Sequence, residues 1–202
     1  MVEPSRYHVS DKAAGISNGI LINKLGLKNQ KELDEAESLL LADTYTYFFE
    51  LLEKDKVKFD LSLLFDIHRY FLNPLYDWAG KNRMVNISKG EMFFVPAEFL
   101  DKALEEFAGL LKTELSILST SKLDFSRKLA TIHNEFNVIH PFREGNGRTI
   151  RLFLDLLAVN LGYNPIDWGK ELKKVYFEAC VKGAKGDNDA LTKFINNGLK
   201  KQ

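Results

Sequence analysis

The stretch His140-Pro-Phe-Arg-Glu-Gly-Asn-Gly-Arg-Thr-Ile-Arg151 carries the strongest structural signal in this chain. It places a histidine, a carboxylate, a Gly-Asn-Gly turn and two arginines in one short block. Gly145 and Gly147 lack Cβ, so backbone N–H groups there can approach a ligand closely. The helix that these glycines open has unpaired N–H groups and a positive dipole end. This pattern predicts an anion site, above all one for phosphate.

Each polar side chain of the block fits a phosphate ligand. Arg148 and Arg151 project from neighbouring helix positions and can form paired hydrogen bonds to phosphate oxygens. Glu144 can help to hold Mg²⁺ between phosphates, and His140 is a candidate general base. Taken one at a time, each residue also has an ordinary structural explanation. The glycines could form a simple turn, Glu144 could cap a helix, the two arginines could lie on an exposed face, and the histidine could be a buried loop residue. Their occurrence as one contiguous block favours the functional interpretation.

The composition excludes several classes of protein. The 202 residues are enough for one domain with a full core. Lys+Arg and Asp+Glu both total 28, and the zero net charge argues against nucleic-acid binding. Cys180 is the only cysteine, which excludes an intramolecular disulfide. We see neither a Sec-type signal peptide nor an apolar run of about 20 residues, so we expect a cytoplasmic protein without membrane contact. Export by a route that reads other signals stays open.

Hydrophobic periodicity predicts a mainly α fold. Between the helices, Val85–Val95 has Ser-Lys-Gly-Glu flanked by two β-prone runs, which predicts a hairpin. Asp124 is predicted to cap one helix, and Pro96 to open another. A lone hairpin is marginally stable in water, so we expect it either to pack against the helices or to be mobile. The predicted helices span residues 31–54, 60–71, 96–117, 124–138, 145–160, 170–183 and 188–199.

The block resembles the signature of the Fic family, His-x-Phe-x-Asp/Glu-Gly-Asn-Gly-Arg-x-x-Arg, at every defined position. Ala79–Arg83 and the hairpin after it resemble the family's pre-flap segment and flap. The resemblance implies a single, mostly helical Fic domain over residues 1–202, with the hairpin flap above the active site. Its parts would be an N-terminal extension (about 1–30), a Fic core (31–183) and a C-terminal helix (184–202).

The resemblance also implies a reaction, the transfer of AMP from ATP to a Ser, Thr or Tyr hydroxyl of a target protein. His140 would deprotonate the hydroxyl, and Glu144 would hold Mg²⁺. Phe142 would anchor the loop in the core. The remaining roles implied are nucleotide binding by Gly145, Asn146, Gly147, Arg148 and Arg151, and target docking by Ile87, Ser88, Lys89, Gly90, Glu91, Met92 and Phe93.

Two alternatives to this reaction stay open at this point. One is transfer of another nucleotide-borne group, namely UMP, GMP, phosphocholine or phosphate. Gly147 argues against phosphate transfer, because the Doc branch of the family has lysine at that position. The other is a catalytically idle Fic-fold adaptor, which would have no chemical need for His140, Glu144 and both arginines.

Many Fic proteins are restrained by a helix bearing Ser/Thr-x-x-x-Glu-Gly/Asn, whose glutamate pairs with the arginine equivalent to Arg151. Thr192–Asn197 has this frame with asparagine in place of the glutamate, and Thr46–Glu50 has the spacing but not the following residue. We therefore expect either an antitoxin-like partner that supplies the glutamate, or no such restraint. The sequence indicates neither the target, nor the preferred base, nor the oligomeric state.

Overall fold

The computed structural model describes residues 8–9, 15–17, 19–90, 92–116, 121–169 and 173–202. These ranges are dominated by helices, which confirms the mainly α prediction. The helices within them are α1 (Gln30–Glu53), α2 (Leu61–Leu72), α3 (Leu100–Ser116), α4 (Lys122–Ile139), α5 (Asn146–Asn160), α6 (Lys173–Gly183) and α7 (Asp189–Gly198). None of these helices is both long enough and apolar enough to span a membrane.

One predicted helix start was wrong, and another was right in position but not in the type of its first turn. Ser121, not Asp124, caps α4, because its hydroxyl oxygen accepts a hydrogen bond from the Asp124 N–H at 3.4 Å. Asp124 lies instead in the first turn, where a carboxylate favours the helix dipole. The helix expected from Pro96 begins as a 3₁₀ turn at Ala97–Phe99 and becomes α3 only at Leu100. Ile117 and residues 170–172 lie outside the described ranges.

Helix α5 lies at the centre of the bundle. Nearly every side chain from Thr149 to Ala158 is buried, as expected of a helix with neighbours on all sides. It packs against α1, α2 and α4, and α4 in turn packs against α3 and α7. Phe142, just before α5, has no exposed surface and stacks edge-on against Phe65. The predicted anchoring role of Phe142 is therefore confirmed.

The predicted hairpin is present but not alone, because the described residues form five short strands. They are β1 (His8–Val9), β2 (Ile16–Ser17), β3 (Ile20–Leu21), β4 (Ile87–Lys89) and β5 (Met92–Phe93). The predicted hairpin is β4–β5, whose turn includes Gly90 at a positive φ of 58°. β1 pairs with the outer edge of β4, with His8 opposite Ser88. β2 and β3 form a separate hairpin, and Glu91 lies outside the described residues.

Candidate active site

The loop between α4 and α5 is closed by the side chain of Asn146. Its Oδ1 accepts from the Phe142 N–H at 2.9 Å, and its Nδ2 donates to the Phe142 carbonyl at 2.8 Å. Asn146 has no exposed surface, so this amide shapes the loop from within. A contribution of Asn146 to an anion site would therefore come from its backbone N–H at the start of α5.

Gly145 allows the loop to turn into α5. It has φ 84°, a left-handed conformation that L side chains rarely adopt. A Cβ atom there would also lie 2.8 Å from Cδ1 of Leu72 and 3.4 Å from Nε2 of His68. Gly147 differs, because a Cβ there would meet only Nη1 of Arg151, at 3.4 Å. Glycine is thus needed at Gly145 for the fold, whereas at Gly147 it leaves space beside a predicted nucleotide-binding side chain.

His140 ends α4 in a left-handed conformation, with φ 51° and ψ 57°. Its Nδ1 lies 3.0 Å from the Asn137 carbonyl, which can only accept, so Nδ1 carries the proton and Nε2 is the basic nitrogen. The ring is buried and stacks on Phe94, with centroids 3.8 Å apart. Burial, aided by the positive charges of Arg83 and Lys89, lowers the pKa of His140 to about 3. The imidazole is therefore neutral near pH 7, the form that can accept a proton.

Arg148 is held by two carboxylates. Its Nη1 lies 2.6 Å from Oε2 of Glu37 on α1, and its Nη2 lies 3.4 Å from Oε1 of Glu144. Oε1 of Glu144 also accepts from the Gly145 N–H at 2.9 Å. Glu37 is buried and receives a second hydrogen bond from the Tyr76 hydroxyl. The sequence did not point to Glu37, because nothing in the spacing of α1 connects it to a loop so far along the chain.

Arg151 has a different environment. Its Nη1 donates to the Tyr176 hydroxyl at 3.2 Å, and the guanidinium lies over the same ring, 5.5 Å from the centroid. The hydroxyl also lies 2.7 Å from Nε2 of His133, which is fully buried. Burial, aided by the charge of Arg151, lowers the pKa of His133 to about 3, so this histidine is a neutral partner of Tyr176. Tyr176 thus orients Arg151 without neutralising it.

In the described part of the chain, the residues at the inhibitory position of the two candidate segments, Asn196 and Glu50, have partners other than Arg151. Oδ1 of Asn196 accepts from the Ser126 hydroxyl at 3.3 Å. Glu50 is exposed and pairs with Lys54 at 3.3 Å. Among the described residues, the ion pairs do not include Arg151.

His68 supports the loop from α2, and sequence reasoning missed it. The Gly80 N–H donates to His68 Nδ1 at 2.8 Å, so the opposite nitrogen carries the proton and donates to the Glu144 carbonyl at 2.9 Å. The ring stacks on Phe142, with centroids 3.7 Å apart. The available signal was its position among Leu64, Ile67 and Phe71 on the apolar stripe of α2, where a polar side chain needs buried partners.

The β4–β5 hairpin lies beside His140. Its inner face consists of Ile87 and Phe94 with Val85 and Met92, and Phe94 supplies the ring that stacks on the imidazole. Phe93 points outward and is 84% exposed. Nζ of Lys89 lies over the Phe177 ring of α6, 5.5 Å from the centroid. The predicted flap is thus joined to the loop on one side and to α6 on the other.

Comparisons with known proteins agree with this architecture. Residues 58–158 match the model of the Fic/DOC family. The chain is 33% identical over 182 residues to protein adenylyltransferase VbhT of Bartonella schoenbuchensis, covering 90% of this chain and 37% of that protein. It is 32% identical over 184 residues to the probable protein adenylyltransferase y4lH of Sinorhizobium fredii, covering 90% of this chain and 93% of that protein.

A solved structure has the same fold. The BepC protein of Bartonella tribocorum with bound AMPPNP superposes with a TM-score of 0.76 at 21% identity, covering 93% of this chain and 96% of that one. The sequence identities, the family match and the shared fold lead to one conclusion: the chain belongs to the Fic/DOC family.

Proposed function

We propose that the chain is a protein adenylyltransferase, which transfers AMP from ATP to a hydroxyl group of a target protein and releases pyrophosphate. The observation that carries this proposal is the state of His140. Its Nδ1 carries the proton, so its basic nitrogen is Nε2, and the residue lies at one end of a loop whose other end opens α5. The relatives named protein adenylyltransferase and the AMPPNP bound to BepC support the same activity.

The chemistry needs one proton transfer and one displacement. Nε2 of His140 takes the proton of the target hydroxyl as its oxygen attacks the α-phosphorus of ATP. The bond between the α-phosphorus and the oxygen bridging to the β-phosphate breaks, and pyrophosphate leaves. The protein contributes mainly by holding the reactants in line and by stabilising negative charge.

The phosphate chain would lie at the start of α5. The first N–H groups of that helix and its dipole attract anions. Arg151, oriented by the Tyr176 hydroxyl and close enough to Asp155 to interact with its charge, would contact the γ-phosphate. Arg148 would contact the chain from its position between Glu37 and Glu144, which fix its guanidinium before the nucleotide binds.

Mg²⁺ fits this site through a single protein ligand. The described residues include no group of three or more His, Cys, Asp or Glu side chains that could hold a metal alone. Glu144 supplies one carboxylate beside the anion site, and phosphate oxygens would complete the coordination. When bound, the ion would neutralise part of the negative charge of the phosphates.

The target segment would bind to the hairpin as an extended strand. β1 covers the edge of β4, so the edge of β5 is the one at which a further strand would add. Phe93, exposed on β5, offers an apolar contact for such a segment. The backbone of the target would thereby be aligned with the base, because Phe94 follows directly and stacks on His140.

Regulation would come from a second protein. A partner that supplies a glutamate would compete with the γ-phosphate for Arg151. At present this arginine donates a hydrogen bond to the uncharged hydroxyl of Tyr176. Co-expression with the product of a neighbouring gene tests this part. Binding that is lost in Arg151→Lys supports it, and the absence of any binding or inhibition contradicts it.

The activity is tested by incubating the purified protein with Mg²⁺ and ATP labelled at either the α- or the γ-phosphate, in cell lysate. The expected result is α-label that is lost with His140→Ala, together with γ-label that does not differ between wild type and variant. Loss of a general base typically lowers the rate by about 10²–10⁴-fold. Label from the γ-position that is likewise lost with His140→Ala would identify a kinase instead and contradict the proposal.

A further inference from the structure

Arg83 is a buried cation that no role described so far uses. Only 4% of its surface is exposed, although it lies in the segment that leads into the β4–β5 hairpin. Each part of its guanidinium donates to a main-chain carbonyl. Nε donates to His140 at 2.8 Å, Nη1 to Val85 at 2.8 Å, and Nη2 to Val95 and, at 3.3 Å, to Ile139.

These carbonyls belong to two different structures. Val85 precedes β4 and Val95 follows β5, and we call these two ends the legs of the hairpin. Ile139 is the last residue of α4 and His140 is its C-cap, where carbonyls lack partners within the helix. Main-chain bonds reinforce the connection, because the Arg83 N–H donates to the Pro141 carbonyl at 2.8 Å and the Val95 N–H to the Val138 carbonyl at 3.2 Å.

The chemistry of this junction requires arginine. A guanidinium is a planar fork of five donors, so it can satisfy several carbonyls in different directions at once. A lysine ammonium has three donors on a single nitrogen and is more strongly hydrated. The buried carbonyls also offset the loss of hydration of the cation.

We infer that Arg83 is a positioning residue that couples the target-docking hairpin to the catalytic histidine. One guanidinium fixes both legs of the hairpin and the main chain of His140, so neither can shift without the other. Phe94 forms a second link from the same hairpin, through the ring that stacks on the imidazole. The coupling is a property of the fold, whereas its effect on catalysis rests on the proposed function.

The consequence for the reaction is geometric. The target would be aligned by the hairpin, and its hydroxyl must come within reach of Nε2 of His140. A misplacement of about 1 Å can lower the rate by about 10²-fold. The hydrogen bonds of Arg83 go to the hairpin and the end of α4, so its replacement should affect the target and leave nucleotide binding nearly unchanged.

The test compares Arg83→Lys with Arg127→Lys, a matched substitution at an exposed position on α4. Hydrogen exchange is followed by mass spectrometry in segments 85–95 and 137–143 and, as a reference, in α5. In Arg83→Lys we expect roughly tenfold faster exchange in both segments together, with α5 unchanged, because buried charge-assisted hydrogen bonds are lost. The dissociation constant for ATP, measured by calorimetry, should stay within about threefold of wild type.

Activity is measured with the target protein recovered from the labelling experiment. For Arg83→Lys we expect kcat/KM for this target to fall by about 10²-fold, while Arg127→Lys behaves like wild type. Faster exchange in the hairpin alone, or in neither segment, would overturn the inference. If wild type transfers no AMP, the proposed function fails, and the exchange data still decide whether the coupling exists.

Should Arg83→Lys fail to fold, Phe94→Leu tests the same coupling from the hairpin side. This variant keeps an apolar side chain but removes the ring stacked on His140. Exchange in segment 137–143 should accelerate although the substitution lies outside it. Unchanged exchange there would contradict the coupling.

Discussion

Nη1 of Arg148 lies 2.6 Å from Oε2 of Glu37. This contact joins the signature block to α1, although the two residues are 111 positions apart in the sequence. The Glu37 side chain is 3% exposed, so the pair is shielded from water on the carboxylate side. A buried charge that loses its partner is costly, because its hydration is not restored. The pair therefore links the predicted phosphate site to the stability of the whole domain.

Glu37→Gln should lower the free energy of unfolding by about 1.5–3 kcal/mol, since a hydrogen bond between two charged groups becomes one with a neutral amide. Urea denaturation measures this. Glu50→Gln is the matched control, because Glu50 lies on the same helix in an exposed pair with Lys54 and should change stability by less than about 1 kcal/mol. Equal effects of the two substitutions would contradict the buried role of Glu37.

Gly145→Ala should destabilise the fold by about 2–4 kcal/mol, through a strained φ and a contact with Leu72. Gly162→Ala separates these causes, because Gly162 also has a positive φ but a Cβ there meets nothing within 4 Å. It should cost only about 1–2 kcal/mol. If urea denaturation shows the same decrease in the free energy of unfolding for both variants, the close approach of Leu72 does not contribute to the destabilisation.

Gly147→Lys should leave the fold intact and impair the reaction. A Cβ at this position meets only the end of the Arg151 side chain, so the free energy of unfolding should change by less than about 1 kcal/mol. An added cation beside Arg151 would shift the bound phosphates, and we expect AMP transfer to fall by about 10²-fold. Gly147→Ala, which adds only the Cβ, should retain more activity, and a Lys variant as active as wild type would show that this position does not set the nucleotide geometry.

Three buried histidines predict a loss of stability in acid. Burial lowers the pKa of His68, His133 and His140 from 6.5 to about 3. Between these values the unfolded chain binds more protons than the folded chain, so stability falls as the pH decreases below about 6.5. Each histidine contributes up to about 1.4 kcal/mol per pH unit.

Asp155 acts in the opposite direction. Burial raises the pKa of its carboxyl to about 6, so in this range the folded chain binds the extra proton. Because three histidines oppose this one aspartate, we still expect the protein to lose stability as the pH decreases. Urea denaturation at roughly pH 7.5 and 5.5 measures it, and a free energy of unfolding that does not change would show that the histidines titrate normally.

The sequence predicted those parts of the fold and site that depend on local order. Helix positions follow from periodicity, and the glycines and charges of the signature block are adjacent along the chain. His140, Glu144, Arg148 and Arg151 could therefore be named together. Even here the capping of α4 was misplaced, because Ser121 and Asp124 are both good capping residues and only the geometry of the preceding chain decides between them.

What the sequence did not reveal depends on contacts between distant segments. Three residues support the loop or its helix from other parts of the chain, namely Glu37, His68 and Arg83. The sequence around each of them does not indicate which residue it contacts. The pairing of β1 with β4 is similar, since two residues of strand are too short for a pattern. Buried polar residues on apolar stripes were the one usable hint, and they indicate that a partner exists without saying which one.

The central claim, that the chain transfers AMP to a hydroxyl group with His140 as the general base, is tested most directly by mass spectrometry of the target protein after incubation with ATP and Mg²⁺. With the wild-type chain we predict a Ser, Thr or Tyr side chain bearing AMP, and with His140→Asn an unmodified target. A target that carries only phosphate, or one that is modified equally by the variant, would contradict the account.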